Sequence, residues 1–322
     1  MKNQNQNGQA TVITVVFLVV LLGMAALVLD VGSWYRAKRA AQSTADAAAL
    51  AGAQALPKAT TTEAASLAQA YAAKNGGMGT GSVTFSTKLY ANDTITVKVR
   101  RSAPGFFSKL FGLKTVTVGG TATARSEPVV AAQGVAPITV HYKHPLLHCS
   151  GGGNNITCNP DFGPSYPTTL DLEDLHQPGN GSGAGAFGLI NLDQNSGGNI
   201  GADVLADWLL HGYPDELPLG KYNSAPSANF NNSQFISAMQ QMVDTQTELL
   251  FPVYRVLKGP GSNAWYDIIG WVGFVPTSFD PNGSKSTVSG YFKEYVAGGI
   301  QASGGSGGTP PNLGVHKVEL VD

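Results

Sequence analysis

From Ala10 to Leu29 the chain carries no charged residue, and twenty residues at the helical rise cover about 30 Å, the depth of a bilayer's hydrocarbon core. The run stays apolar for its full length, where a cleaved signal would show a shorter apolar stretch and then a small-x-small site. It reads as an uncleaved transmembrane helix over 10–29, after a short N-terminal leader over 1–9. Beyond it, alanine recurs at almost every second position and no proline intervenes before Pro57. Alanine is the best helix former, so span and stalk (30–56) predict one rod of about 70 Å from Ala10 to Leu56. Trp34 and Tyr35 fall at headgroup level, and Asp30 stands at the lip of the hydrocarbon, where a carboxylate must be hydrated or paired.

The pattern then changes period. Thr60 and Glu63 frame a capping box ahead of Leu67, Ala70 and Tyr71, predicting a second helix that folds back toward the stalk. Val83, Phe85, Thr87 and Leu89 alternate, Asn92-Asp93 turns the chain, and Ile95, Val97 and Val99 alternate back as a hairpin. Phe106, Phe107, Leu110 and Phe111 suit a short amphipathic helix, and Thr115–Ala124 a third strand. Residues 57–128 thus read as a small α+β module, and 129–134, which follow neither period, as a linker. Over 135–322, helices are expected at 205–210 and 234–250, and strands at 251–257, 265–275, 287–292 and 315–321. The fold class is α+β: a transmembrane helix and stalk, a small α+β module, and a larger β-rich domain.

On the stalk, Ala37, Ala41, Ala45, Ala48, Gly52 and Ala55 form a seam of small side chains at spacings of four and three. Such seams let another backbone approach closely, although any alanine-rich helix contains one by composition. Asp46, an acid within this run, calls for a partner such as Gln42 one turn back or a basic neighbour. Gly23 and Gly32 add two more small positions for helix packing.

Only 13% of residues are charged, against roughly a quarter in ordinary soluble domains, and glycine reaches 40 copies. With a net charge of −1 and no large Lys/Arg cluster, the chain lacks the electrostatic footprint of a nucleic-acid binder. Cys149 and Cys158 flank a glycine-rich stretch that lets their side chains meet. A disulfide there points to export, and two unpaired thiols are the alternative.

The segment GQATVITVVFLVVLLGMAALVLDVGSWYRAKRAAQSTADAAALAGAQAL resembles the N-terminal Tad domain of TadE/TadG-like proteins of tight-adherence (Flp) pilus assembly. Gly8, Gly23, the Asp30-Val31-Gly32 exit, Trp34-Tyr35, Gln42 and the block Ala45 to Ala51 carry the likeness, which extends more loosely to about Ser126. The resemblance implies a structural role in pilus biogenesis rather than catalysis. Its implied partners are the lipid bilayer and other pilus-assembly or pilin-like proteins, with a homo-oligomer left open. It also places the C-terminal region outside the cell membrane. Two departures stand out: only Lys2 precedes the span while Arg36, Lys38 and Arg39 follow it, against the positive-inside rule, and position 13 is Ile13 where processed prepilin-like proteins carry glutamate.

The remaining candidate chemistry is thin. His141, His144 and His148 cluster before Cys149, but an extended chain puts the first two on opposite faces. Residues 193–199 imitate the start of a calcium loop whose twelfth position is Val204, not an acid. Asp171, Glu173, Asp174 and His176 lack a partnered base, no H-E-x-x-H occurs, and no G-x-S-x-G precedes a helix. No cofactor, metal or catalytic residue is assigned. The expected function is an anchored structural component of Flp/Tad pilus assembly acting by protein contact, with a surface adhesin or an anchored hydrolase as alternatives.

Overall fold

The computed structural model describes residues 7–56, 60–76, 81–171, 188–193, 200–225, 232–259, 263–282, 286–296 and 310–321. The chain divides into two compact units, one of residues 1–125 with 319–322, the other of residues 126–318.

In the first unit, helix α1 runs unbroken from Asn7 to Ala55 and α2 from Thr61 to Lys74. The Thr60 hydroxyl accepts from the Glu63 N–H while the Glu63 carboxylate accepts from the Thr60 N–H, so the expected capping box is formed. Three antiparallel strands follow: β1 (Ser82–Ser86), β2 (Thr94–Pro104) and β3 (Thr115–Pro128). On β2, Ile95, Val97, Val99 and Ala103 turn inward while Lys98, Arg100 and Ser102 face out, the alternation of a sheet with one covered face. Between β2 and β3 lies a single 3-10 turn, Ser108–Phe111, shorter than the amphipathic helix expected.

In the second unit, β4 (Ala131–Ala132), β5 (Val140–His141), β6 (Ser150–Gly152), β7 (Asn155–Thr157) and β8 (Thr168–Asp171) come before α3 (Ala202–His211). Then follow β9 (Leu217–Pro218), β10 (Gly220–Asn223), α4 (Ser233–Thr245), β11 (Leu249–Lys258), β12 (Trp265–Asp280), β13 (Thr287–Lys293), β14 (Tyr295–Val296) and β15 (Val315–Val321), whose last residues, from Glu319, belong to the first unit. The main sheet runs β5-β11-β12-β13-β8, with β10 also pairing β12. Phe251, Phe274, Phe292, Tyr254, Tyr266 and Trp271 fill its core. Residues 129–134 are not a linker: Ala131–Ala132 pairs with Leu217–Pro218, and Val129 and Ala132 are buried in this core. Helix α4 ends at Thr245, short of the expected 250, because Leu249 and Leu250 already belong to β11.

Cys149 and Cys158 form a disulfide. The stretch between them is a hairpin, β6 against β7, rather than a loose loop, and Arg255 holds its tip through Gly153 O and Asn154 Oδ1. Closing a loop of this size contributes roughly 2–3 kcal/mol in the chain-entropy view. Replacing both cysteines by serine is expected to lower the urea midpoint of the full chain accordingly, and intact-mass analysis after alkylation should find no free thiol before reduction.

His316 is buried, with Nε2 2.9 Å from Asn312 Oδ1. Burial pushes its pKa down to about 4, and His141, desolvated and near Lys143, likewise falls to about 4. The unfolded chain takes these protons near 6.5. A depressed histidine pKa means the stability from neutral burial is whole above pH 6.5 and declines as pH falls toward 4. Between pH 7.5 and pH 5, His316 alone should cost about 2 kcal/mol of stability. Urea titrations at the two pH values, repeated on His316→Gln, check this: the variant should lose that share of the pH dependence.

Candidate functional site

The membrane exit of α1 is where the described residues concentrate long-range polar contacts on a feature that the sequence marks. Between Ala10 and Leu29 the helix presents its apolar side chains outward, and it is the one described helix long and apolar enough to cross a membrane. At its end the Asp30 carboxylate, nearly inaccessible to solvent, accepts from three successive backbone N–H groups: Phe106 at 2.7 Å, Phe107 at 3.1 Å and Ser108 at 2.6 Å. Successive amide donors around a carboxylate make the charge-assisted kind of hydrogen bond, roughly twice as strong as neutral ones. One turn further on, Trp34 Nε1 donates to Pro104 O at 3.3 Å. Tyr35 stays exposed, with the Arg39 guanidinium 5.6 Å from its ring centre.

Higher on the stalk the partner is β3. The Gln42 side-chain amide donates to Thr121 O at 2.8 Å and accepts from the Thr121 N–H at 3.2 Å, standing in for a neighbouring strand. Gln42 Nε2 also reaches Asp46 Oδ1 at 2.8 Å, the one-turn pairing that the spacing suggested. Gly120 makes this approach possible, since a Cβ there would lie 2.5 Å from the Gln42 Cα. At the next level Thr44 Oγ1 lies 2.8 Å from Asn75 O at the end of α2.

The small-residue seam lies inside the unit. Ala41, Ala45, Ala48 and Gly52 are buried, and α1 packs on both α2 and β2. A Cβ added at Gly52 would meet Ile95 Cδ1 at 2.5 Å and Ala68 Cβ at 3.2 Å. The close neighbour that the seam calls for is therefore this chain's own second helix and sheet, and a second protein has no access to that face. Gly23 and Gly32, in the bare part of α1, have nothing within 4 Å of the Cβ position.

The histidines go separate ways. His141 meets the Tyr142 ring edge-on and the Tyr254 ring at a tilt, His144 Nε2 lies 3.0 Å from Thr168 Oγ1, and His148 Nε2 lies 2.8 Å from Asp161 Oδ2. Among the described residues no three His, Cys, Asp or Glu side chains converge as a metal would require. Glu173, Asp174 and His176, and residues 194–199 of the calcium-like stretch, lie outside the described residues.

A single long helix that is bare and apolar below Asp30 and packed into an α+β unit above it has the build of an N-terminal membrane anchor. Residues 8–55 match the Tad family, described as Flp pilus-assembly TadE/G-like. The chain thus carries an N-terminal Tad domain, and the matched residues fall on the one described helix long and apolar enough to cross a membrane. Comparison with curated proteins and with solved structures finds no match.

Proposed function

We propose that this protein is a structural component of Flp/Tad pilus assembly, held in the cell membrane by Ala10–Leu29, with everything after Asp30 outside the cytoplasm and acting by contact with other assembly proteins. The observation that carries the reading is the Tad match over residues 8–55, which coincides with a helix passing without a break from apolar span to packed stalk. The disulfide supports the outward placement, because reducing compartments rarely keep such bridges. The three basic residues after the span, Arg36, Lys38 and Arg39, oppose it by charge count.

With the seam of α1 covered, partners are met through other surfaces. Deleting the gene should abolish surface pili, and the full-length chain supplied in trans should restore them. Pili that assemble normally while surface binding is lost would favour the adhesin reading instead. Reporters fused after the last residue test the orientation: a periplasm-active enzyme should work there and a cytoplasm-active one should not.

A further inference from the structure

The connection from β2 to β3, residues 105–114, reads Gly-Phe-Phe-Ser-Lys-Leu-Phe-Gly-Leu-Lys. Its apolar side chains are uncovered to a degree unusual for a folded unit: Leu110 is 82% and Phe111 85% exposed, and Phe106 and Leu113 also lie open. So much exposed apolar surface in one short segment marks a place that meets something apolar. The height of this segment along α1 says what that is. Near the start of strand β2 Ile95 lies beside Gly52, at its end Pro104 lies beside Trp34, and just past it the Phe106 N–H reaches Asp30. The helix descends 22 residues between Gly52 and Asp30, about 33 Å, and the chain 11 residues between Ile95 and Phe106, about 36 Å. The hairpin runs down the stalk and turns at the level where the apolar span begins.

The segment is also built for a poorly hydrated place. Its N–H groups at 106–108 are satisfied by Asp30, and four more bond within the segment: Gly105 N–H to Lys114 O, Leu110 N–H to Phe107 O, Gly112 N–H to Lys109 O, and Leu113 N–H to Ser108 O. Backbone donors left bare near hydrocarbon cost several kcal/mol each, so pairing these seven suits the segment to the membrane interface. Charge agrees. From Thr94 to Arg125 the chain holds Lys98, Arg100, Arg101, Lys109, Lys114 and Arg125 and no acid, the balance that anionic headgroups attract.

We propose that residues 105–114 are a membrane foot: Phe106, Leu110, Phe111 and Leu113 sit in the headgroup and upper acyl region of the same bilayer that α1 crosses, with Lys109 and Lys114 among the lipid phosphates. The foot rests on the reading of Ala10–Leu29 as the span. Asp30 is its positioning residue, and the amphipathic segment binds the interface as monotopic elements do.

The test uses the full chain in vesicles of phosphatidylethanolamine and phosphatidylglycerol, the native disulfide left intact. Three single-cysteine variants, Phe111→Cys, Leu89→Cys and Val20→Cys, carry an environment-sensitive nitrobenzoxadiazole label, and nitroxide lipids are added with the spin label near the headgroup or near the chain end. All three positions are exposed, so folding tolerates the label. The label at 111 should be blue-shifted and quenched mainly by the headgroup-proximal nitroxide, the label at 20 mainly by the chain-end nitroxide, and the label at 89, at the opposite end of the hairpin, by neither. A label at 111 as unquenched as that at 89, with 20 quenched, overturns the foot while leaving the span intact and hands the patch to a protein partner. An unquenched label at 20 overturns the span, and the foot with it.

Discussion

Joint replacement of Ala45 and Ala48 by leucine should unfold the first unit rather than merely weaken an external contact. Both side chains are fully buried where α1 meets α2 and β2, and overfilling a packed core costs roughly 1–3 kcal/mol per site. Because small domains have little stability in reserve, two such insertions consume much of what a unit of this size holds. The measurement is membrane level together with protease sensitivity of residues 60–125, set against Ser43→Leu. Ser43 is exposed on the same helix, and leucine there suits the helix. If the seam variant kept a protease-resistant unit at normal level, the intramolecular packing described for Ala45 and Ala48 would be wrong. Gly52→Leu should behave like the double variant, for the clash with Ile95 is with a side chain pinned in the sheet.

The second large effect is expected from Asp30→Asn. The amide retains the size but loses the charge and one acceptor oxygen, so the N–H groups of Phe106, Phe107 and Ser108 can no longer all be satisfied. With the full chain in detergent, those three amides should exchange with solvent faster by on the order of tenfold or more, and new chymotryptic cuts should appear between 106 and 113. Amides of Val97 and Val99, in the middle of the hairpin, should keep their protection. Asp46→Asn is the contrast: Gln42 keeps its two bonds to Thr121, and the foot should not notice. Equal exchange at 106–108 in the wild type and Asp30→Asn would remove the clamp from the account.

Most elements of the first unit are legible in the sequence because their determinants are local. The capping pair Thr60 and Glu63 is three residues apart, the strand alternation is read off β2 itself, and the alanine run fixes α1 by propensity. Strand β15 lies where the alternation of Val315–Val321 reads as a strand, whereas Ala131–Ala132 reads as linker because its partner, Leu217–Pro218, lies far off in sequence. The site divides in the same way. Asp30 stands out as a carboxylate at the hydrocarbon edge, yet nothing in its neighbourhood names Phe106 to Ser108, 76 to 78 residues downstream. The seam is visible too, but small spacing says only that something approaches closely, not whether that something is another chain or this one. A signal was available in retrospect: Ala64, Ala68 and Ala72 give α2 a matching small face, all three buried, and two alanine faces joined by a few residues favour each other.

Helix α1 carries no proline or interruption between its apolar half and its packed half, so it has no joint in which a change of inclination could be absorbed. A bilayer thinner than the span makes such a helix lean, commonly by about 20°. Over the roughly 38 Å from Asp30 to Ala55 that lean becomes a sideways excursion of about 13 Å at the top of the stalk. The anchor is thus a lever, and the thickness of the membrane around it sets where the upper end of the stalk is presented to its neighbours.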